Sequence, residues 1–318
     1  MVEYRSADEL RDALRTLAGT PGERWLHIGQ GSNLLFTGDY DGTILHSRLL
    51  GREAIGEAGD SVVVRAASGE DWDGFVRWCV GQGYYGLENL ALIPGEVGAS
   101  AVQNIGAYGA EAGDFIECVH AVDALTGESR TFSRDECGYA YRQSVFKTAL
   151  RGRYVITYVD YRLSRRFKPN LRYAALSREL EARGLSPDTV TAERLYEVVV
   201  EVRRAKLPDP RVTGSAGSFF MNPVISAGDF ARLSAAHPEM PHYDLPDGTV
   251  KIPAGWLIEQ CGWKGRSLGR AGVYDKQALV LVNLGGATGQ DIVRLSQAVQ
   301  ADVRGRFGIE ICPEVNFI

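Results

Sequence analysis

Ser218 lies in GSAGSFFMNPVI, residues 214 to 225, a stretch with no titratable side chain. Ser215, Ala216 and Gly217 before it leave the hydroxyl unobstructed, two phenylalanines follow, and Asn222-Pro223 bends the chain away. A serine with no histidine or other base beside it lacks what activates a nucleophile. The segment reads as a surface that holds something, or as a serine that caps a turn. Two glycine-rich segments are the other candidates. GQGSNL, Gly29 to Leu34, has G-x-G after a strand, but Leu34 takes the third glycine position and a strand follows, so it is no dinucleotide fingerprint of the helix-N-terminus kind. Its backbone N–H groups, with Ser32 and Asn33, can form an anion-binding concavity, or the turn carries no ligand. GLENLALIPGEVGASAVQNIGAYGAE strings Pro94, Gly95, Gly98, Gly106 and Gly109 among Ala99, Ser100, Ala101 and Ala107. Such small side chains let a flat or phosphorylated ligand lie against the backbone, with Ser100 and Asn104 as donors. Arg203 and Lys206, three apart on one helix face, either meet an anion or complement the negative helix end.

The elements that must position these groups alternate in an α+β manner. SADELRDALRTLAG has Ser6 and Glu9 in capping-box spacing and predicts an amphipathic helix. RWLHIGQGSNLLF predicts strand, glycine turn and strand, and DYDGTILH a hairpin through Asp41-Gly42. SVVVRAASG is a strand, and SGEDWDGFVRWCVGQG a helix capped by Ser68. ECVHAVDALTGESRTFS predicts two strands joined at Thr126-Gly127, and RYVITYVDYRLS a further one. TAERLYEVVVEVRRAKL is a helix from about Thr191, stopped by Pro208 and Pro210, which mark a domain boundary. Beyond them the KIPAGWLIEQCG helix, the ALVLVNL strand and the GQDIVRLSQAVQADVRGRFG helix predict an α/β unit.

At 318 residues the chain exceeds one comfortable core, which predicts two or three domains. A net charge of -5 argues against a nucleic-acid or anionic-membrane partner, so an anionic substrate needs local cations. Five scattered cysteines without C-x-x-C, and five histidines without ligand spacing, predict no disulfide frame and no metal site. A reducing cytoplasm fits. No basic segment with an apolar run opens the chain, and no apolar stretch reaches the length a bilayer needs.

GQGSNLLF together with ENLALIPGEVGASAVQNIGAYG resembles the two flavin-embracing loops of the UDP-N-acetylenolpyruvoylglucosamine reductase family, within the wider group of vanillyl-alcohol-oxidase-type (PCMH-like) FAD-binding folds. YRQSVFK from 141, KLPDP from 206, GSAGSFFMNPVI from 214, AGWLIEQCGWKG from 254 and the final PEVNFI follow in the family's order, so the resemblance spans nearly the whole chain. It implies an FAD-dependent oxidoreductase of peptidoglycan precursor synthesis. NADPH would reduce noncovalently held FAD, and an enolpyruvyl ether on UDP-N-acetylglucosamine would then be reduced to the lactyl ether of UDP-N-acetylmuramate.

The same resemblance assigns residues. Ser218 would protonate the carbon bearing the carboxylate, Arg142 would face that carboxylate, and Glu314, if desolvated and so protonated, would hydrogen-bond the enolic carboxyl. Gly29, Gly31, Ser32, Asn33, Leu34, Pro94, Gly95, Gly98, Ala99, Ser100, Asn104, Gly106, Ala107 and Arg203 would hold FAD. Tyr108, Tyr173, Lys206, Asn222 and Gln260 would contact substrate. Tyr108 and Gln260 serve equally well as core residues, and Tyr173, in an insertion around 163 to 190, points to the longer-chain branch with a tyrosine loop. The expected organisation is two α+β FAD subdomains, residues 1–50 completed by 307–318 and residues 51–206, plus an α/β substrate domain over 207–306, in a monomer. An FAD-linked sugar or alcohol oxidase is the other enzyme reading, but its flavin-tethering histidine or cysteine is missing from positions 28–45 and 86–117. A noncatalytic sugar-nucleotide binder would need no flavin.

Overall fold

The computed structural model describes residues 1–318. In chain order the first elements are β1 (Val2–Tyr4), α1 (Ala7–Ala18), β2 (Trp25–Ile28), β3 (Leu34–Leu35), β4 (Thr43–Ser47), β5 (Arg52–Ala58) and β6 (Ser61–Ala67). Ser6 caps α1 as expected, its Oγ accepting from the Glu9 N–H at 3.1 Å. The hairpin expected at Asp41-Gly42 does not form: β4 runs parallel to both β1 and β2, in the order β1-β4-β2. Thr43–Ser47 enters the middle of that sheet, where both neighbours are parallel and Leu45 is fully buried, so the turn chemistry at Gly42 is overridden by burial. β3 instead pairs in parallel with β19 (Asn316–Phe317).

The next elements are α2 (Trp72–Gly81), α3 (Val97–Gln103), the short pair β7 (Gly106–Ala107) and β8 (Ala110–Glu111), then β9 (Ile116–Asp123), β10 (Ser129–Ser133), β11 (Tyr154–Ser164), α4 (Ala174–Ala182) and α5 (Ala192–Lys206). Asp71 rather than Ser68 caps α2, accepting from Gly74 N, because the Ser68 hydroxyl is already bonded to Ser47 Oγ at 2.8 Å. After them come β12 (Ser215–Ser218), β13 (Val224–Ile225), α6 (Ala227–Ala236), β14 (Tyr243–Asp244), β15 (Val250–Lys251), α7 (Ala254–Gln260), β16 (Ser267–Leu268), β17 (Ala271–Val273), β18 (Val280–Asn283) and α8 (Gly289–Phe307).

Contacts group the chain into two compact units, residues 1–31 with 41–203 and residues 32–40 with 204–318. The expected parts were 1–50 with 307–318, 51–206 and 207–306. By contacts, the observed division falls in the last turn of α5 and assigns 32–40 to the C-terminal unit. In the first unit an antiparallel sheet, β10-β9-β11-β6-β5, buries Val64, Val119 and Val159 against Trp72, Phe75 and Val76 of α2 and Val97 and Ala101 of α3. A second cluster joins Tyr4, Leu10, Leu14 and Leu45 to Val122 and Val155. The second unit packs α7 and α8 against the sheet β12-β18-β17-β16 through Leu257, Ile258, Leu295, Val299 and Leu281. Thr288 and Asp291 form a capping box on α8, and a Cβ at Gly289 would run into the Phe36 carbonyl, so only glycine admits that approach.

His27 in β2 meets Tyr4 Oη at 2.8 Å, and burial first, then neighbouring His46, holds its pKa down at about 4. Unfolding therefore takes up a proton between about pH 4 and the ordinary value near 6.5, so stability is full above that window and falls as pH drops through it. At about 1.4 kcal/mol per unit, and with some discount for partial exposure, the loss is on the order of 2 kcal/mol. Urea unfolding of wild type and His27→Gln at pH 7 and pH 4 is expected to show the wild type losing that much more than the variant.

Candidate active site

In the first unit, backbone strain marks the region of interest. Leu92, Asn104, Tyr108 and Arg142 are the non-glycine residues at positive φ, between 47° and 56°, and all fall in or beside the glycine-rich segment and the YRQSVFK motif. Such conformations persist only where surrounding contacts enforce them, and they gather at binding sites. Gly31 closes the first glycine turn at φ 75°, and no heavy atom lies within 4 Å of where a Cβ would stand. Gly29 faces the second segment: a Cβ there would come within 3.0 Å of Glu96 Oε2 and 3.7 Å of Ala99 Cβ. Gly98, inside α3, sits so close to Ser68 that a Cβ would lie 2.8 Å from the Ser68 Cβ. Gly95 accepts from Trp72 N at 3.0 Å, which ties the Pro94-Gly95 turn to the start of α2. The two glycine segments are thus held against each other by small residues.

Asn104 organises the turns beyond α3. It caps that helix in the left-handed region, which asparagine tolerates better than most residues. Its Nδ2 donates to Glu111 Oε2 and to the Ala140 carbonyl, each at 2.8 Å, while its Oδ1 accepts from Gly113 N at 2.8 Å. Arg142 donates through Nη2 to the Gly106 carbonyl at 2.7 Å and through Nη1 to the Asn104 carbonyl at 3.4 Å, and Lys147 Nζ donates to the Arg142 carbonyl at 2.9 Å. The guanidinium is therefore aimed by backbone oxygens. Asn104→Ala removes three side-chain hydrogen bonds and places alanine at positive φ, which is expected to cost about 3 kcal/mol or more. Denaturant unfolding would register the loss.

Arg203 of α5 donates from Nε to the Leu92 carbonyl at 3.3 Å. Burial, with the nearby Arg142 charge adding to it, lowers its pKa, while Tyr108 and Asp73 act in the opposite sense. Arg203 thus brings a second cation near Arg142, which suits an anion such as a pyrophosphate or a carboxylate. Tyr108, its own pKa raised by burial, stands edge-on to Tyr173 with ring centroids 5.5 Å apart. Asn89 donates to both the Tyr108 and Asn170 carbonyls at 2.8 Å, and Asn170 to the Gly109 carbonyl at 3.0 Å, which stitches the Tyr173 segment to the Tyr108 turn. Small residues, an open glycine turn and the buried Arg203 suit a flavin dinucleotide.

In the second unit, Ser218 ends β12 opposite Val280, after a register shift. Gly217 at φ 74° permits that bulge, and Ser218 is exposed while Phe219 and Phe220 are buried. Glu314 N donates to the Phe219 carbonyl at 2.7 Å, and Asn33 Nδ2 to the Glu314 carbonyl at 3.3 Å. Ser218, Glu314 and the end of the first glycine segment, with Leu34 paired to Asn316, are thereby gathered. Asn222 Oδ1 accepts from Ala254 N at 2.9 Å and so caps α7. Gln260, the last residue of α7, is half-buried, its carbonyl accepting from Arg306, and Lys206 is exposed at the end of α5.

Two expected cofactor donors have their side chains engaged elsewhere. The Ser100 hydroxyl donates to the Val97 carbonyl at 2.7 Å and meets Tyr161 Oη at 2.8 Å, and Asn104 is used as described. Both side chains are committed to bonds within the fold. Sequence reasoning missed Glu96 and His46, a buried pair at 2.8 Å beside Gly29, with the Glu96 carboxyl raised by burial against the opposing pull of His46. It also missed Asn89 and Lys147. The signal was a buried polar residue inside an apolar run, visible in ENLALIPGE only as composition.

Residues 1–133 match the FAD binding domain family, and residues 209–318 match the UDP-N-acetylenolpyruvoylglucosamine reductase C-terminal domain. The class is therefore that of FAD-dependent oxidoreductases. The chain is 53% identical over 317 residues to a UDP-N-acetylenolpyruvoylglucosamine reductase of Bacteroides fragilis, covering 100% of this chain and 93% of the relative. It is 53% identical over 289 residues to that of Burkholderia vietnamiensis, covering 91% and 83%. In fold it resembles the Thermus caldophilus enzyme of the same name, with a TM-score of 0.66 at 21% identity over 99% of this chain and 90% of that one. The chain belongs to the UDP-N-acetylenolpyruvoylglucosamine reductase family.

Proposed function

We propose that this chain reduces UDP-N-acetylglucosamine enolpyruvate to UDP-N-acetylmuramate at the expense of NADPH, and that Ser218, Arg142 and Glu314 serve the reduction of the enolpyruvyl group. The observation that carries the reaction is the likeness to a curated reductase along the full length of the chain. When bound, FAD supplies the hydride carrier between NADPH and the terminal vinyl carbon. Charge then develops on the neighbouring carbon and its carboxylate.

Arg142, held by the Asn104 and Gly106 carbonyls, offers a fixed fork of donors to that carboxylate. Ser218 gives its hydroxyl proton to the carbon bearing the carboxylate, and regains one from solvent. No histidine base is needed, since an enolate carbon is basic enough to accept from an alcohol. Glu314 hydrogen-bonds the enolic carboxyl. Gly29, Gly31, Ser32, Asn33, Leu34, the Pro94–Ala107 segment and Arg203 hold the cofactor, Arg203 toward its pyrophosphate. Lys206 and Asn222 meet the substrate diphosphate; with Oδ1 taken by Ala254 N, Asn222 offers its amide N–H groups. Tyr173 closes with Tyr108 over the sugar nucleotide, and Gln260 lines its pocket.

The enzyme acts as a monomer in the cytoplasm, feeding cell-wall growth and so cell shape and division. Five free cysteines accord with a reducing compartment, and no helix is long and apolar enough to cross a membrane. Steady-state assay is the test. NADPH oxidation is expected to require the enolpyruvyl sugar nucleotide and to yield a product heavier by two hydrogens. NADPH oxidation that needs only oxygen, with the sugar nucleotide unchanged, would refute the reading.

A further inference from the structure

We propose that Cys118, His120 and Asp160 form a binding site for a thiophilic divalent cation, with zinc preferred, on the face of the five-stranded sheet turned away from α2 and α3. The expectation of no metal site rested on spacing along the chain, whereas these ligands converge through strand register. Cys118 and His120 are two apart on β9, so they share a face. Asp160 of β11 is the register partner of Cys118, Arg65 of β6 that of Asp160, and Thr131 of β10 that of His120. On the opposite face Val119, Ala121 and Val159 enter the core, so the ligand strands are rigidly held.

The donor atoms have the spacing of three corners of a zinc tetrahedron. Cys118 Sγ is 3.5 Å from His120 Nε2 and 3.3 Å from Asp160 Oδ2, and Nε2 is 2.9 Å from Oδ2. Zinc bond lengths of about 2.0 to 2.3 Å place neighbouring tetrahedral ligands about 3.3 to 3.6 Å apart, so only the nitrogen–oxygen edge must widen. His120 Nε2 faces a donor, Arg65 Nη2 at 3.0 Å, and an acceptor, Asp160 Oδ2 at 2.9 Å, and a cation would take its lone pair with the ring proton on Nδ1, toward Thr131 Oγ1 at 3.0 Å. Imidazole, carboxylate and sulfur thus aim electron pairs at one region, where the guanidinium, also bonded to Asp160 at 2.7 and 2.8 Å, supplies the positive charge.

A bound cation takes over that role. Arg65, whose side chain is about a third exposed, swings into solvent, and water completes the tetrahedron. A metal–sulfur bond forms as the Cys118 S–H bond breaks and its proton passes to solvent, with no change of oxidation state. Because the thiolate is the ligand, binding releases a proton and tightens as pH rises.

The experiment titrates chelator-treated, FAD-loaded enzyme with Zn²⁺ by calorimetry and with Cd²⁺ by the ultraviolet thiolate-to-metal band. One equivalent is expected to bind saturably. Cys118→Ser and His120→Ala should each weaken binding by more than about a hundredfold, since even outer partners are worth 10 to 100-fold. Arg65→Ala, which removes the competitor, should tighten it. FAD content and reductase activity of each variant check that it has folded. Absence of saturable binding, equal affinity in Cys118→Ser, or weaker binding in Arg65→Ala would each overturn the assignment.

Discussion

Ser218→Ala is expected to bleach its flavin with NADPH at the wild-type rate and to be reoxidised by the enolpyruvyl sugar nucleotide at least about a hundredfold more slowly, the range for loss of a general acid. The separation of half-reactions is what distinguishes a proton donor from a structural serine. Ser218 is exposed at the end of β12, and the neighbouring anchors, Phe219 N to the Leu279 carbonyl and Glu314 N to the Phe219 carbonyl, are backbone bonds that alanine keeps. The variant should therefore retain fold and cofactor. Stopped-flow absorbance under nitrogen reads both steps; wild-type rates in both would remove Ser218 from the reaction.

Arg142→Lys keeps the charge but loses the fork that spans two oxygens and the paired bonds to the Asn104 and Gly106 carbonyls. Loss of a preorganised donor at developing charge is worth about 3 to 4 kcal/mol, so kcat should fall by roughly 10² to 10³ while reduction by NADPH persists. Lysine meets the same left-handed backbone as arginine, so denaturant unfolding should shift only by the lost carbonyl bonds, about 1 to 3 kcal/mol. A variant with wild-type kcat would show that the guanidinium meets nothing that matters in the reaction.

Where pattern and burial agreed, the elements could be read from the chain. The N-cap at Ser6, the β9–β10 pair through Thr126-Gly127 and the helix ending before Pro208 are examples. The failures share a cause. Asp41-Gly42 carries hairpin chemistry, yet β4 is drawn into the centre of a parallel sheet, and no local signal reports that choice. α3 escaped notice because it is only seven residues long and Gly98 weakens helix propensity, while the close approach to Ser68 that demands so small a residue is a tertiary fact. Ser100 and Asn104 were read as donors to a ligand from residue type, but their partners Tyr161 and Ala140 lie far along the chain. Gly217 was read as clearance for the serine, whereas its positive φ serves the bulge that turns Ser218 outward. Cys118, His120 and Asp160 show the same limit, since register across strands is invisible in a single chain read end to end.

The central claim, that reducing equivalents pass from NADPH through flavin to one vinyl ether, is tested most directly by single turnover under nitrogen. Wild-type enzyme bleached with one equivalent of NADPH should regain its yellow absorbance within one catalytic cycle when UDP-N-acetylglucosamine enolpyruvate is added, and should stay bleached with plain UDP-N-acetylglucosamine. Recovery with both nucleotides, or with neither, would contradict the account.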